Sequence, residues 1–240
     1  MYELGIIGGM GPQATAALFE RIIEYTAADT DQEHIDTLVL SRASIPDRTT
    51  AICGEGPSPV PALNEEFALL AKLGVPVAVI PCNTSHYFIP QVTIPDSVRF
   101  INMVEESLLY ARENLPNIPL CVLGTNGLAQ GQVYQSHPAA ESAHFITLTD
   151  EEQQGVMQII TRIKASADPV PEAAKLAGIM RNVRAREGRC LFILACTELS
   201  LLRDALPRGY HVLDSMDALA VKAVSVCGRP VRRSLDELNS

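Results

Sequence analysis

Two short patterns each occur twice in this chain, at almost the same separation. Leu4-Gly5-Ile6-Ile7-Gly8-Gly9-Met10-Gly11 is echoed by Leu120-Cys121-Val122-Leu123-Gly124-Thr125-Asn126-Gly127. Val77-Ala78-Val79-Ile80-Pro81-Cys82-Asn83-Thr84 is echoed by Leu191-Phe192-Ile193-Leu194-Ala195-Cys196-Thr197-Glu198. The offsets are 116 and 114 residues, close to half of the 240-residue chain. One apolar run resembling another means little; two matched runs at one spacing constrain the chain to two similar halves. Each half then closes one strand with a cysteine. The length agrees, since 240 residues suit one large or two small domains at a prior of ~150 residues each.

Hydrophobic period supplies the elements. Short apolar runs predict strands over residues 4–8, 37–41, 75–81, 120–124, 144–147, 190–195 and 211–213. Longer amphipathic stretches predict helices over 12–28, 62–73, 103–114, 151–165, 171–186 and 218–227. Alternating strand and helix is the pattern of a parallel sheet covered on both faces, and strands apolar throughout are buried on both sides. The expected fold is therefore α/β: two similar Rossmann-like domains, each a mainly parallel sheet flanked by helices, related by pseudo-twofold symmetry. In such sheets ligands bind beyond the carboxyl ends of the strands, where both repeated cysteines fall.

Charge narrows the partners. The chain has 19 Lys and Arg against 28 Asp and Glu, a net of −9. Nucleic acid and anionic membranes need a basic surface, so neither is expected as a partner. No uncharged apolar run approaches the ~20 residues of a membrane helix, and Met1-Tyr2-Glu3-Leu4 does not open a signal peptide. A soluble cytoplasmic protein is expected. The six cysteines, Cys53, Cys82, Cys121, Cys190, Cys196 and Cys227, are irregularly spaced without a C-x-x-C pair. That pattern favours free buried thiols over a disulfide or zinc framework, and no metal site is expected.

Two segments carry possible chemistry. Gly9-Met10-Gly11-Pro12-Gln13-Ala14 fits G-x-G-x-x-A after a strand, the dinucleotide fingerprint. No acidic residue closes the second strand, but Arg42 there suits a 2′-phosphate, so an NADP-dependent enzyme stays open. The alternative is that these glycines only let the chain turn and Pro12 start a helix. Cys82 and Cys196 are sharper signals. A helix beginning at either one would lower its thiol pKa from ~8.5 and offer N–H donors to a carboxylate. Two facing thiols suit removal of a proton from one face of a carbon and its delivery to the other. His86, four residues after Cys82, keeps thioester chemistry open as well. None of the four lysines, Lys72, Lys164, Lys175 and Lys222, sits where a pyridoxal Schiff base is suggested.

Gly8-Gly9-Met10-Gly11-Pro12, Ile45-Pro46-Asp47-Arg48-Thr49, Pro81-Cys82-Asn83-Thr84 and Cys196-Thr197-Glu198 together resemble the cofactor-independent aspartate/glutamate racemases, nearest the aspartate racemase branch. Asp31-Gln32-Glu33-His34 and Asp150-Glu151-Glu152-Gln153 add to the likeness, which runs from about residue 4 to about residue 220. The resemblance implies two α/β domains, residues 1–99 with 210–240 and residues 100–209, with the active site in the cleft between them. It implies a homodimer, a small acidic amino acid as substrate, and no cofactor. Cys82 and Cys196 become the catalytic acid/base pair, facing the D- and L-enantiomer respectively. Arg48 and Lys164 become the cations for substrate carboxylates. Asn83, Thr84, Ser85, Thr197, Gly9, Met10 and Thr125 become the site lining, with His86 and Glu198 tuning the thiols. One departure stands out: Ser41-Arg42-Ala43-Ser44 replaces the asparagine-containing strand end of close relatives.

The implied reaction is L-/D-aspartate interconversion by two-base proton transfer at the α-carbon. Alternatives are a glutamate or broad-specificity racemase, a maleate isomerase-like or related enzyme on the same frame, and a non-catalytic binder of acidic amino acids. Relatives with other reactions often alter one cysteine, and a sensor has no use for two reactive thiols.

Overall fold

Residues 1–238 are described in a computed structural model; Asn239 and Ser240, the end of the segment expected to rejoin the first domain, lie outside the described residues. The first half runs β1 (Leu4–Gly8), α1 (Pro12–Tyr25), β2 (Thr37–Ser41), α2 (Arg48–Ile52), α3 (Val60–Lys72), β3 (Val77–Val79), β4 (Arg99–Ile101) and α4 (Met103–Asn114). The second runs β5 (Leu120–Leu123), α5 (Asn126–Gln130), β6 (Phe145–Ile146), α6 (Asp150–Lys164), α7 (Pro169–Glu187), β7 (Leu191–Leu194), α8 (Thr197–Ser200) and β8 (His211–Asp214). Helices α9 (Ser215–Val226) and α10 (Leu235–Leu238) close the described chain.

The strands form two four-stranded parallel sheets of the same order, β2-β1-β3-β4 and β6-β5-β7-β8. The repeat in the sequence is thus a repeat of topology. β1 pairs with β3 from Leu4↔Val77, and β5 with β7 from Leu120↔Leu191, so equivalent strands hold equivalent registers. β1, β3 and β7 are buried at every residue, as central strands covered by helices on both faces must be.

Local sequence sets the helices that frame the cleft. Pro12 opens α1, whose Leu18, Ile22 and Tyr25 recur on one buried face. Thr149 and Glu152 form a reciprocal capping box on α6, whose acidic first turn and basic last turn both complement the helix dipole. Helix α9 carries Met216, Leu219, Ala220, Ala223 and Val224 into a core shared with Leu18 and Ile22 of the first half and Ile193 and Leu213 of the second. An ion network locks this return. Arg21 of α1 bonds Asp214 (2.7 Å) and Asp217 (2.6 Å), Arg203 also pairs with Asp217, and Ser200 Oγ donates to Asp214. Both aspartate side chains are fully buried, so their charges depend on those arginines.

Several details differ from the sequence expectation. β4 was not expected; it is three residues long and begins on exposed Arg99, so it carries no periodic signal. Its pairing with β3 carries the first sheet to Ile101, past the expected boundary at 99. β8 pairs with β7, so residues 211–214, expected with the first domain, belong to the second sheet. The chain returns to the first half only at α9, which starts at Ser215 rather than 218 because Asp214 accepts from Met216 N–H as its cap. Among the described residues, no helix is long and apolar enough to cross a membrane.

Candidate active site

β3 and β7 end at Val79 and Leu194; beyond them Cys82 (φ −155°), after a turn in which its N–H donates to the Ile80 carbonyl (2.9 Å), and Cys196 (φ −141°) are both extended. Both thiols are buried, and both line one cavity between the halves together with Arg48, Lys164, Thr84, Thr125, Thr197 and Glu198. Its volume is about 20 Å³, little more than one water requires. The topology explains the meeting: each cysteine leaves the carboxyl end of a central strand, and the two sheets present those ends to each other.

The second residue after each cysteine reaches across to the other half. Thr84 Oγ1 lies 3.0 Å from Thr125 Oγ1, and Thr125 also accepts the Leu128 N–H that opens α5. Glu198 Oε1 points at Gly11, 3.8 Å from where a Cβ would stand there. α2 and α5 also touch closely, since a Cβ on Gly127 would fall 2.8 Å from Thr49 Cα. Glycine at 127 therefore lets α5 pack against α2, which begins with Arg48.

Cys196 Sγ donates to Glu198 Oε2 at 2.9 Å, and Glu198 Oε1 lies 3.8 Å from Lys164 Nζ at the end of α6. Burial pushes the Cys196 thiol well up, the Glu198 charge and hydrogen bond push it further, and Lys164 only partly offsets them. The lowering by a helix N-terminus expected from sequence is thus overridden at Cys196, where α8 has only four residues. Arg48 is buried and donates from Nη1 to the carbonyls of Ile45 and Pro46 and from Nη2 to that of Met10, while its buried Nε has no hydrogen-bond partner. Asp47 caps α2 by accepting from Thr50 N–H. Burial would raise the Asp47 carboxyl, but that N–H and the charges of Arg48 and Lys164 hold it below the usual range.

The remaining expected residues divide. Met10 lines the cavity, and the Asn83 backbone segment does too, but both polar ends of the Asn83 side chain are spent elsewhere. Asn83 Oδ1 accepts from Tyr134 (2.7 Å), and Nδ2 donates to Ser215 Oγ (2.9 Å), which in turn donates to the Leu194 carbonyl (2.8 Å). Tyr134 and Ser215, absent from the sequence expectation, thereby tie the strand end before Cys196 to the residue after Cys82. Ser85 Oγ donates to Met10 Sδ (3.2 Å). His86 does not address the Cys82 sulfur. Its Nδ1–H donates to the Cys82 carbonyl (2.9 Å) and its Nε2 accepts from Met103 N–H (3.3 Å), and burial lowers its pKa to about 4, so the ring is neutral.

The dinucleotide reading finds its groups occupied. Gly9, at φ +92°, gives its N–H to Thr15 Oγ1 (2.9 Å), and a Cβ there would strike the Arg42 backbone. Arg42 pairs with Glu65 (2.6 Å) and Glu66 (3.2 Å) instead of facing a phosphate site. The Gly9-to-Ala14 turn lines a wider vestibule of about 480 Å³, which shares Met10, Asp47, Arg48, Lys164, Thr197 and Glu198 with the inner cavity. Among the described residues no three His, Cys, Asp or Glu side chains converge as a metal set would. All six cysteines are free, with Cys53 exposed and Cys227 half-buried rather than buried.

Two similar parallel-sheet domains each place a thiol at the same strand end, and both thiols line one cleft. The family profile of Asp/Glu/hydantoin racemases matches residues 7–223, and the chain belongs to that family, so it is an isomerase of the racemase kind. It is 26% identical over 228 residues to the broad specificity amino-acid racemase RacX of Bacillus subtilis (strain 168), covering 92% of this chain and 96% of that one. Its fold is that of Picrophilus torridus aspartate racemase (TM-score 0.85, 24% identity, all of both chains). It is also that of an aspartate racemase homologue from Pyrococcus horikoshii OT3 (TM-score 0.73, 18% identity, 95% and 100% of the two chains).

Proposed function

We propose that the protein interconverts L- and D-aspartate by two-base proton transfer, one of Cys82 and Cys196 removing the α-proton and the other delivering its own to the opposite face, without a cofactor. The observation that carries this reading is the pair of buried thiols on equivalent strand ends, lining one cavity with Arg48 and Lys164. One thiolate takes the proton as the Cα–H bond breaks, and the opposite thiol gives its proton to the other face of the carbon. The pair ends with its states exchanged, so its titration belongs to both groups together. Negative charge gathers on the α-carboxylate meanwhile, and cations aimed there count most when they tighten as it develops. Arg48 is suited to this, being buried and held by three backbone carbonyls.

Proton position follows from Cys196. Burial and Glu198 favour its thiol, which suits Cys196 to the donor's part. A second reading, broad specificity, is favoured by the vestibule of about 480 Å³, which exceeds what an aspartate side chain needs. The test is optical activity of L-aspartate with purified, reduced protein and no pyridoxal phosphate. Decay to zero rotation supports the reading; a constant signal with every amino acid offered overturns it.

A further inference from the structure

The turn after the first strand of each half belongs to the site, since Met10 and Thr125 both line the inner cavity. In the first half that turn is held from its own helix. Thr15 of α1 accepts the Gly9 N–H at 2.9 Å and donates to the Gly11 carbonyl at 2.9 Å. The repeat, 116 residues on, puts Gly131 where the second half needs the same clamp. Glycine has no side chain to offer, and none fits there: a Cβ on Gly131 would stand 2.7 Å from Tyr87 Cδ2. Helix α5 has only five residues, so no further turn of it supplies a substitute.

The second turn is held from a different helix. Gln153, at the start of α6, donates from Nε2 to the Gly124 carbonyl (3.1 Å) and to Asn126 Oδ1 (2.9 Å), one residue to either side of Thr125. A carbonyl can only accept, so the bond to Gly124 needs a donor at 153. On its other side Gly124 packs against the residue before Cys196, since a Cβ there would fall 3.2 Å from the Ala195 carbonyl. Thr125 accepts the Leu128 N–H and lies 3.0 Å from Thr84 Oγ1 across the cleft. Gln153 itself lines neither the inner cavity nor the vestibule. The segment Asp150-Glu151-Glu152-Gln153 thus serves twice: Glu152 caps its own helix and Gln153 reaches the strand end of another element.

We propose that Gln153 is a positioning residue for the racemase reaction, its amide fixing Thr125 at the wall of the cavity that holds Cys82 and Cys196, in place of the clamp that Gly131 cannot supply. This rests on the two-thiol reading above for its effect on turnover.

Gln153→Glu keeps the size of the side chain and removes the donor, while an acidic residue at the start of α6 suits the helix dipole, so Tm should not fall. With L-aspartate, followed by α-proton exchange in D₂O, kcat should drop roughly tenfold while KM stays within about twofold. Gln153→Lys, which restores a donor, should recover much of that loss. In a Thr125→Val background Gln153→Glu should cost less than about twofold, because the residue it positions is gone. Unchanged kcat in Gln153→Glu, the same fold-loss in both backgrounds, or a fall in Tm that accompanies the loss overturns the proposal. Backbone hydrogen exchange of the peptide containing Leu128, read by mass spectrometry, keeps the clamp separate from the reaction and should speed up roughly tenfold in Gln153→Glu. Unaltered exchange there overturns the clamp whatever the activity. Faster exchange with no turnover by the wild-type protein upholds the clamp and overturns the racemase reading.

Discussion

Replacing Ser215 by alanine removes one oxygen, and with it two hydrogen bonds between the cysteine-bearing strand ends. Ser215 Oγ accepts from Asn83 Nδ2 at 2.9 Å and donates to the Leu194 carbonyl at 2.8 Å. Ser215 is fully buried and Asn83 nearly so, so bulk water cannot take the oxygen's place. A buried amide donor stripped of its acceptor costs about 1–3 kcal/mol, and the lost bond to the carbonyl about 1 more. The expected destabilisation is therefore about 2–4 kcal/mol, or a Tm lower by roughly 5–15 °C for a chain of this size. Urea unfolding should show a lower midpoint at constant slope. Because Ser215 touches no substrate group, kcat should fall as the strand ends lose register while KM changes little. Adding Tyr134→Phe should cost less than it does alone, since both act through Asn83. A loss below about 0.5 kcal/mol with additive effects would refute the idea that this chain of bonds aligns the thiols.

Arg21→Leu leaves Asp214 buried without the arginine that pairs with it, and should destabilise the protein by about 3 kcal/mol or more in urea; a neutral result contradicts the ion network's role. His86 has its folded pKa depressed from 6.5 to about 4, so its contribution is whole above pH 6.5 and is lost as pH falls toward 4. The loss amounts to about 3 kcal/mol, and His86→Gln should flatten the urea midpoint over that window; an unaltered slope contradicts the assignment. Glu198→Gln keeps an acceptor near Cys196 but removes the charge that, after burial, holds the thiol up. Alkylation of Cys196 by iodoacetamide near pH ~8, followed by peptide mass spectrometry, should speed up several-fold; no change or slower labelling speaks against that charge.

Much of this architecture is legible in the chain because its signals are local or repeated. Strands β1, β5 and β7 are apolar throughout, and the doubled strand ends mark both thiols before any contact is known. What stays hidden depends on distance along the chain. Ser215 meets Asn83 from 132 residues away and Tyr134 from 51, and nothing near either residue marks it as part of the site. His86 shows the opposite failure: sequence proximity to Cys82 suggests a role at the thiol, whereas the turn of chain directs its ring to the Cys82 carbonyl. The direction of the Cys196 shift was equally hidden, because it depends on burial and on Glu198 folding back upon the sulfur. β4 escapes for a different reason. Three residues beginning with an exposed arginine become a strand only because β3 offers them an edge.

The central claim is that of two thiols on opposite faces of one carbon, one removes its proton and the other delivers a different one. Its most direct test is where deuterium appears when L-aspartate racemises in D₂O, read by NMR early in the reaction. Two bases predict that the D-aspartate formed carries deuterium, delivered by the opposite solvent-exchanged thiol, while unreacted L-aspartate keeps its protium. Cys82→Ser and Cys196→Ser should each abolish racemisation. Deuterium entering the recovered L-aspartate as fast as the D-product forms, or full racemisation by either serine variant, would contradict the account.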